Sequence, residues 1–210
     1  MAAEPEPRLS KLQQQRSRET REKLIEAANR LWREHGFDET TVNEVCDEAG
    51  VSKGTFYFYF LRKEDLLLEL AAATSERVWN DWQRALEGDD ATAELARTMI
   101  QTIARRTSRT PRNLLARTVT ELLASAGQRW QTLRGERSDF GALFRSLYAR
   151  AQDRREMASD HTPADLAGMT TVVLLQGMLM WAWGAEESLD NILWRRMAII
   201  LRGAGVSGVD

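Results

Sequence analysis

Residues 41–66, TVNEVCDEAGVSKGTFYFYFLRKEDL, spell two short helices and the turn between them. Thr41 opens the first. Its hydroxyl is placed to accept from the third following amide while Glu44 reaches back, the reciprocal Thr-x-x-Glu arrangement of a helix start. Val42, Val45, Cys46 and Ala49 then make one apolar stripe, which Gly50 ends because it is free to turn left-handed. After Val51, Ser52 caps a second helix near Lys53 to Tyr59. Two short helices joined by a glycine-containing turn are a helix-turn-helix. The second carries five consecutive aromatics, Phe56 to Phe60, and a helix cannot bury all of them. Phe56 and Phe60 are four apart and share the inner face, leaving Tyr57 and Tyr59 to present hydroxyls outward; the alternative is a core aromatic cluster.

Upstream, Leu24, Ile25, Ala28, Leu31 and Trp32 share one face of a helix predicted from about Ser17 and closed by Gly36. His35, in its last turn, suits the negative helix end, and no other His or Cys is spaced to form a metal site with it. The whole chain, with 29 Lys and Arg against 31 Asp and Glu, carries a net charge of −2. Between Arg8 and Arg33, however, eight basic residues face three acidic ones, a local excess of +5. Any attraction to phosphates is therefore local, in an arm over 1–17 and the helix that follows.

The ordered segments Leu24-Ile25-x-Ala27-Ala28, Gly36-Phe37-x-x-Thr40-Thr41-Val42, Ala49-Gly50-Val51-Ser52-Lys53-Gly54-Thr55 and Tyr57-x-Tyr59-Phe60-x-x-Lys63-Glu64-x-Leu66 resemble the successive signatures of TetR (tetracycline-repressor-like) regulators. The resemblance covers 18–78, with the helix-turn-helix at 41–60. It implies a three-helix DNA-binding domain in which Ser52, Lys53, Gly54 and Thr55 lie at the groove-facing start of a recognition helix. It also implies that Thr41, Tyr57, Tyr59 and Lys63 hold backbone phosphates. The chemistry agrees, since small residues let a helix end approach DNA and hydroxyls donate well to phosphate. Lys53 reaches either a guanine edge or a phosphate. Tyr59 stands where the family often has His, and Arg62 where it often has a small polar residue.

From Lys63 a long helix is predicted to about Leu86, leading into a C-terminal helical domain over 79–204 and a tail over 205–210. Further helix starts fall at Thr110-Pro111 and Thr162-Pro163, with Pro in the first helical position, and Ser188 caps the last helix. Leu166 to Ala185 is twenty residues without a charge, the length of a membrane span. Thr170, Thr171, Gln176 and three glycines dilute it and its flanks are acidic, so a helix buried on both sides is expected and no membrane partner. Met169, Val173, Gln176 and Met180 line one side of it, and Val172, Leu175, Leu179 and Trp183 another. By resemblance, the last two long helices form a four-helix dimer interface with a partner copy, to which Ile192, Leu193, Ile199 and Ile200 contribute, and one face of the penultimate helix borders a ligand cavity. Trp79, Trp82, Trp130, Phe144, Tyr148, Met169, Val173 and Met180 are the candidate lining of a site for a small apolar effector; the alternative is that they fill core and interface.

The fold expected is thus all-α. Two histidines, one cysteine and no glycine-rich phosphate loop argue against an enzyme, and no cofactor or metal is expected. Cys46 reads as a small buried apolar residue. With no disulfide partner for it and no apolar core in MAAEPEPRLS, a cytoplasmic protein is expected. The function expected is a homodimeric repressor released from a palindromic DNA operator by a small apolar ligand; the alternative is a DNA-binding dimer whose C-terminal domain only dimerises.

Overall fold

A computed structural model describes residues 7–129, 140–158 and 160–209, and among them every regular element is a helix. These are α1 (Pro7–Glu34), α2 (Val42–Ala49), α3 (Lys53–Tyr59), α4 (Glu64–Leu86), α5 (Thr92–Thr107), α6 (Arg112–Arg129), α7 (Phe140–Asp153), α8 (Pro163–Ala182) and α9 (Leu189–Gly203). The chain divides into two compact units inside α4, between Leu70 and Ala71, eight residues before the boundary read from the sequence.

In the N-terminal unit α1 starts ten residues earlier than Ser17, so residues 7–17 are helical and not a flexible arm. That stretch has no apolar stripe to reveal it. Its helix rests on Pro7 in the first position, on the good helix formers Lys, Leu, Gln and Arg, and on an i,i+4 hydrogen bond from Gln15 to Glu19 (3.0 Å). The core beneath is Leu24, Ala28, Trp32, Phe37, Val45, Phe56, Phe60 and Leu66, all buried. Cys46 is buried too, and burial pushes its thiol up, as for an apolar core residue.

In the C-terminal unit α8 packs against α6, α7 and α9, and α5 against α7 and α9. Thr162 caps α8 by accepting from the Asp165 amide, with Pro163 in the first turn, and Ser188 caps α9 from Asn191. The start at Thr110-Pro111 is displaced by one residue: α6 begins at Arg112, and the Pro111 carbonyl accepts from Leu115 (2.9 Å). The tail is tied down, since the Ala158 amide donates to the Ala204 carbonyl and Val206 is buried. In length and composition α8 matches a membrane span, yet it seats Leu166, Thr170, Leu174 and Met178 in the core of this unit.

Ala91, at the cap position of α5, has no side-chain acceptor to offer. Glu156 supplies it from beyond α7, accepting from the Thr92 amide (2.7 Å) and from Arg154 Nε (2.8 Å). The hydrogen bonds from Thr92, followed by Arg154, hold its carboxyl below the ordinary 4.5. A carboxyl depressed in the folded state stabilises above its unfolded pKa, and that stability is lost as pH falls through the folded value. Glu156→Gln should therefore reduce the loss of thermal stability of this unit on acidification below about pH 4.5. Parallel acid limbs for wild type and variant, followed by calorimetry, would contradict this.

Candidate nucleic-acid interface

The helix-turn-helix is fixed by its own side chains before any partner is considered. Thr41 and Glu44 form the full capping box: the Thr41 amide donates to Glu44 Oε2 (2.7 Å) and the Glu44 amide to Thr41 Oγ1 (3.3 Å). The Thr41 amide and the Thr41 hydroxyl (2.8 Å), both donating to this carboxylate, lower the Glu44 pKa. Gly50 closes α2 at φ +67°, a left-handed conformation that favours glycine, and Ser52 caps α3 by accepting from the Thr55 amide (3.1 Å). Phe56 and Phe60 point inward with rings 5.7 Å apart. The opposite side of α3 is left outward: Ser52, Lys53, Gly54, Tyr57 and Phe58 are exposed, as is Thr41 at the start of α2.

The expected contact residues separate into two groups. Thr41, Ser52, Lys53, Gly54 and Tyr57 lie on the exposed surface, and Thr55 is half-buried with its hydroxyl paired to that of Ser52 (2.8 Å). Tyr59 and Lys63 are engaged within the protein. The Tyr59 hydroxyl donates to Ser17 Oγ on α1 (3.0 Å), and Lys63 Nζ donates to the carbonyls of Phe37 (2.8 Å) and Thr40 (2.9 Å). Neither partnership was visible in the sequence, since the partners lie 42, 26 and 23 residues away and two are backbone carbonyls. Phe58 and Leu61, at 79% and 86% exposure, add an apolar element to this surface that the aromatic run hinted at but did not assign. The basic excess is also partly spent inside the unit: Arg21 pairs with Glu69 on α4 (2.6 Å) and Arg30 with Glu48 on α2 (2.5 Å).

The candidate ligand residues of the C-terminal unit that lie among the described residues sit in different surroundings. Trp82 is buried with Nε1 donating to Ser146 (2.9 Å), and Tyr148 is buried against Thr170 (2.7 Å), its hydroxyl pushed up to about 12 by burial. Phe144 borders a cavity of about 10 Å³ with Ile103, Thr171, Leu174, Leu175 and Met178, barely room for one water. Trp79 and Val173 are half-buried. Met169 and Met180 face away from this core, 61% and 41% exposed, in a stripe with Val172, Gln176 and Trp183. Periodicity gives α8 two apolar faces without saying which of them its own chain covers. Trp130 lies outside the described residues, among which no group of three or more His, Cys, Asp and Glu could hold a metal.

With this geometry in place, comparison with known proteins is informative. Residues 24–70 match the model of the bacterial regulatory proteins, tetR family. The uncharacterized HTH-type transcriptional regulator YerO of Bacillus subtilis is 46% identical over 50 residues, 24% of this chain and 17% of that protein's length. The repressor KstR of Mycolicibacterium smegmatis is 26% identical over 181 residues, 86% of this chain and 85% of that one. The solved structure of Thermus thermophilus FadR, a TetR-family transcriptional repressor in complex with lauroyl-CoA, superposes with a TM-score of 0.77 at 26% identity, covering 87% of this chain and 94% of that one. The family's model falls on the capped helix pair, so residues 24–70 carry the tetR-family signature, and over its C-terminal helices as well the chain is similar to full-length TetR-type regulators.

Proposed function

We propose that the protein is a homodimeric repressor that inserts the start of α3 into the major groove of a near-palindromic operator and is released by a small, largely apolar molecule held in its C-terminal unit. In this reading Ser52, Lys53, Gly54 and Thr55 face the groove, Tyr57 donates to a phosphate, and Thr41, whose hydroxyl donates to Glu44 Oε2 (2.8 Å), reaches one only by exchanging that bond. Gly54 is the observation that carries it. A Cβ added there would meet only Ser52 Oγ, at 3.7 Å, so the protein's own packing does not call for glycine. Glycine in a helix costs up to about 1 kcal/mol against alanine, and the cost is accounted for by close approach of something outside the chain. Gly54→Ala is expected to leave the free protein as stable or stabler by a few tenths of a kcal/mol while weakening operator binding about tenfold. Equal affinity of the two proteins for DNA selected by wild type would remove this support.

One recognition helix reads only a few base pairs, so specificity calls for two copies about 34 Å apart, and the exposed stripe of α8 is the surface that pairs them. Selection of bound duplexes from a random pool tests the reading: a two-fold symmetric motif with half-sites about 10 base pairs apart is expected, and no enriched motif would sink it. Such a regulator works in the cytoplasm, where the DNA is.

The effector half of the reading draws on FadR, whose structure holds lauroyl-CoA. The close packing around Phe144 and Tyr148 favours the second reading, a C-terminal unit that only dimerises. Thermal-shift screening with fatty acyl-CoAs and aromatic metabolites separates them. A compound that raises Tm and also releases DNA supports sensing; one that raises Tm with DNA affinity unchanged disproves the coupling.

A further inference from the structure

One face of α8 is left uncovered by its own chain. Along it Asp165, Met169, Val172, Gln176, Met180 and Trp183 recur at helical spacing, all of them exposed. A contiguous apolar surface of this kind marks a contact site. Of these residues only Asp165 is charged, and toward the other end Arg196 of α9 adds the opposite charge. Arg196 lies across α8 at Gly177, where an added Cβ would stand 3.1 Å from Arg196 Cδ, so the glycine makes room for it. Its guanidinium donates to Gln176 Oε1 (3.0 and 3.2 Å), to the Ile192 carbonyl (3.0 Å) and to Met180 Sδ, which fixes it on the Gln176–Met180 turn of the stripe. These acceptors are neutral, and no carboxylate among the described residues forms an ion pair with it. Glu187, whose charge reaches Arg196, is paired with Arg195 (2.9 Å). Burial, and after it the charge of Arg195, already pushes the Arg196 pKa down. Asp165 is half engaged: its Oδ2 accepts from the Thr162 hydroxyl (2.6 Å), and no cation among the described residues pairs with it.

Val172 lies midway between Asp165 and the turn that holds Arg196. Laid parallel on a second copy of itself, the stripe would set Asp165 against Asp165 and Arg196 against Arg196, like charges desolvated together. Laid antiparallel, about a two-fold axis near Val172, it brings each Arg196 to Asp165 of the partner subunit, and does so twice. A guanidinium covered by further apolar surface needs an opposite charge, and the partner's carboxylate supplies what its own chain does not. We propose that the α8 stripe pairs antiparallel with that of a second copy of this chain, and that an ion pair between Arg196 and Asp165 of the partner subunit, formed twice, fixes the register of the dimer. This rests on reading the protein as a homodimer through α8 and adds which residues select the partner and its orientation.

Charge reversal in the full-length protein tests this. Arg196→Glu sets like charges face to face twice per dimer, and so does Asp165→Arg. Each variant alone should therefore weaken its dimer about 100-fold or more and sediment as a monomer at micromolar concentration. In a one-to-one mixture of the two variants, one contact is the native pair and the other the reversed pair. Mixed dimers should then form with a dissociation constant within about tenfold of wild type, counted by native mass spectrometry of chains carrying tags of different mass. A wild type that is monomeric at micromolar concentration leaves the stripe to a different protein or a lipid surface, and the dimer reading falls together with this one. A wild-type dimer that Val172→Asp breaks while Arg196→Glu and Asp165→Arg do not keeps the dimer reading and overturns the ion pair. Folded variants that lose the dimer singly and do not regain it on mixing overturn the pair as well. Should circular dichroism show that a charge-reversed chain does not fold, Arg196→Met and Asp165→Asn decide instead: if the residues meet, the double variant dimerises no more weakly than either single one, whereas losses that multiply show that they do not.

Discussion

Phe56→Ala is expected to weaken DNA binding strongly by destabilising the N-terminal unit. The side chain is 0% exposed, at the centre of α3, with its ring 5.7 Å from Phe60 and 5.3 Å from Tyr57. Truncating a buried phenylalanine costs about 3–5 kcal/mol, from lost transfer energy and the cavity left behind. A unit of this size has about 4–10 kcal/mol in total, at roughly 0.05–0.15 kcal/mol per residue, so the substitution removes a large part of it. Hydrogen exchange on the full-length variant should show the amides of α1 to α3 losing most of their protection, with binding falling at 37 °C. A loss of less than about 1 kcal/mol with DNA affinity intact would mean that Phe56 does not anchor this core.

The second large effect concerns assembly. Val172→Asp places a carboxylate in the middle of the exposed α8 stripe, and because Val172 is already 53% exposed the fold of one chain should barely notice. In a two-fold interface the substitution occurs twice, and like charges brought together cost several kcal/mol, about 100-fold or more in the dimer dissociation constant. Sedimentation should show monomers at micromolar concentration, and operator affinity should fall with the loss of the second half-site. A dimer that persists with wild-type affinity would place the interface elsewhere.

The parts of this molecule that local rules govern were legible in the sequence. The capping box of Thr41 and Glu44, the left-handed Gly50, the Ser52 cap and the burial of Phe56 and Phe60 each depend on residues within four positions of one another. What escaped depends on distant partners. Lys63 and Tyr59 looked like surface donors because Phe37, Thr40 and Ser17 come to them only through the packing of α1. The first turns of α1 were missed because helix propensity, without an apolar stripe, leaves no periodic mark. In α8, apolar residues all round the helix announced burial on two faces, but Met169 and Met180 proved to face away from the core of their own chain.

In the proposed function α3 reads a specific DNA sequence while basic and hydroxyl groups around it hold phosphates. Fluorescence anisotropy of a selected duplex and its scrambled counterpart across a salt series addresses both halves in one experiment. At least about a thousandfold preference for the selected duplex, two chains bound per duplex, and a log affinity that falls linearly with log salt are expected. Equal affinity for the two duplexes, or binding indifferent to salt, would contradict it.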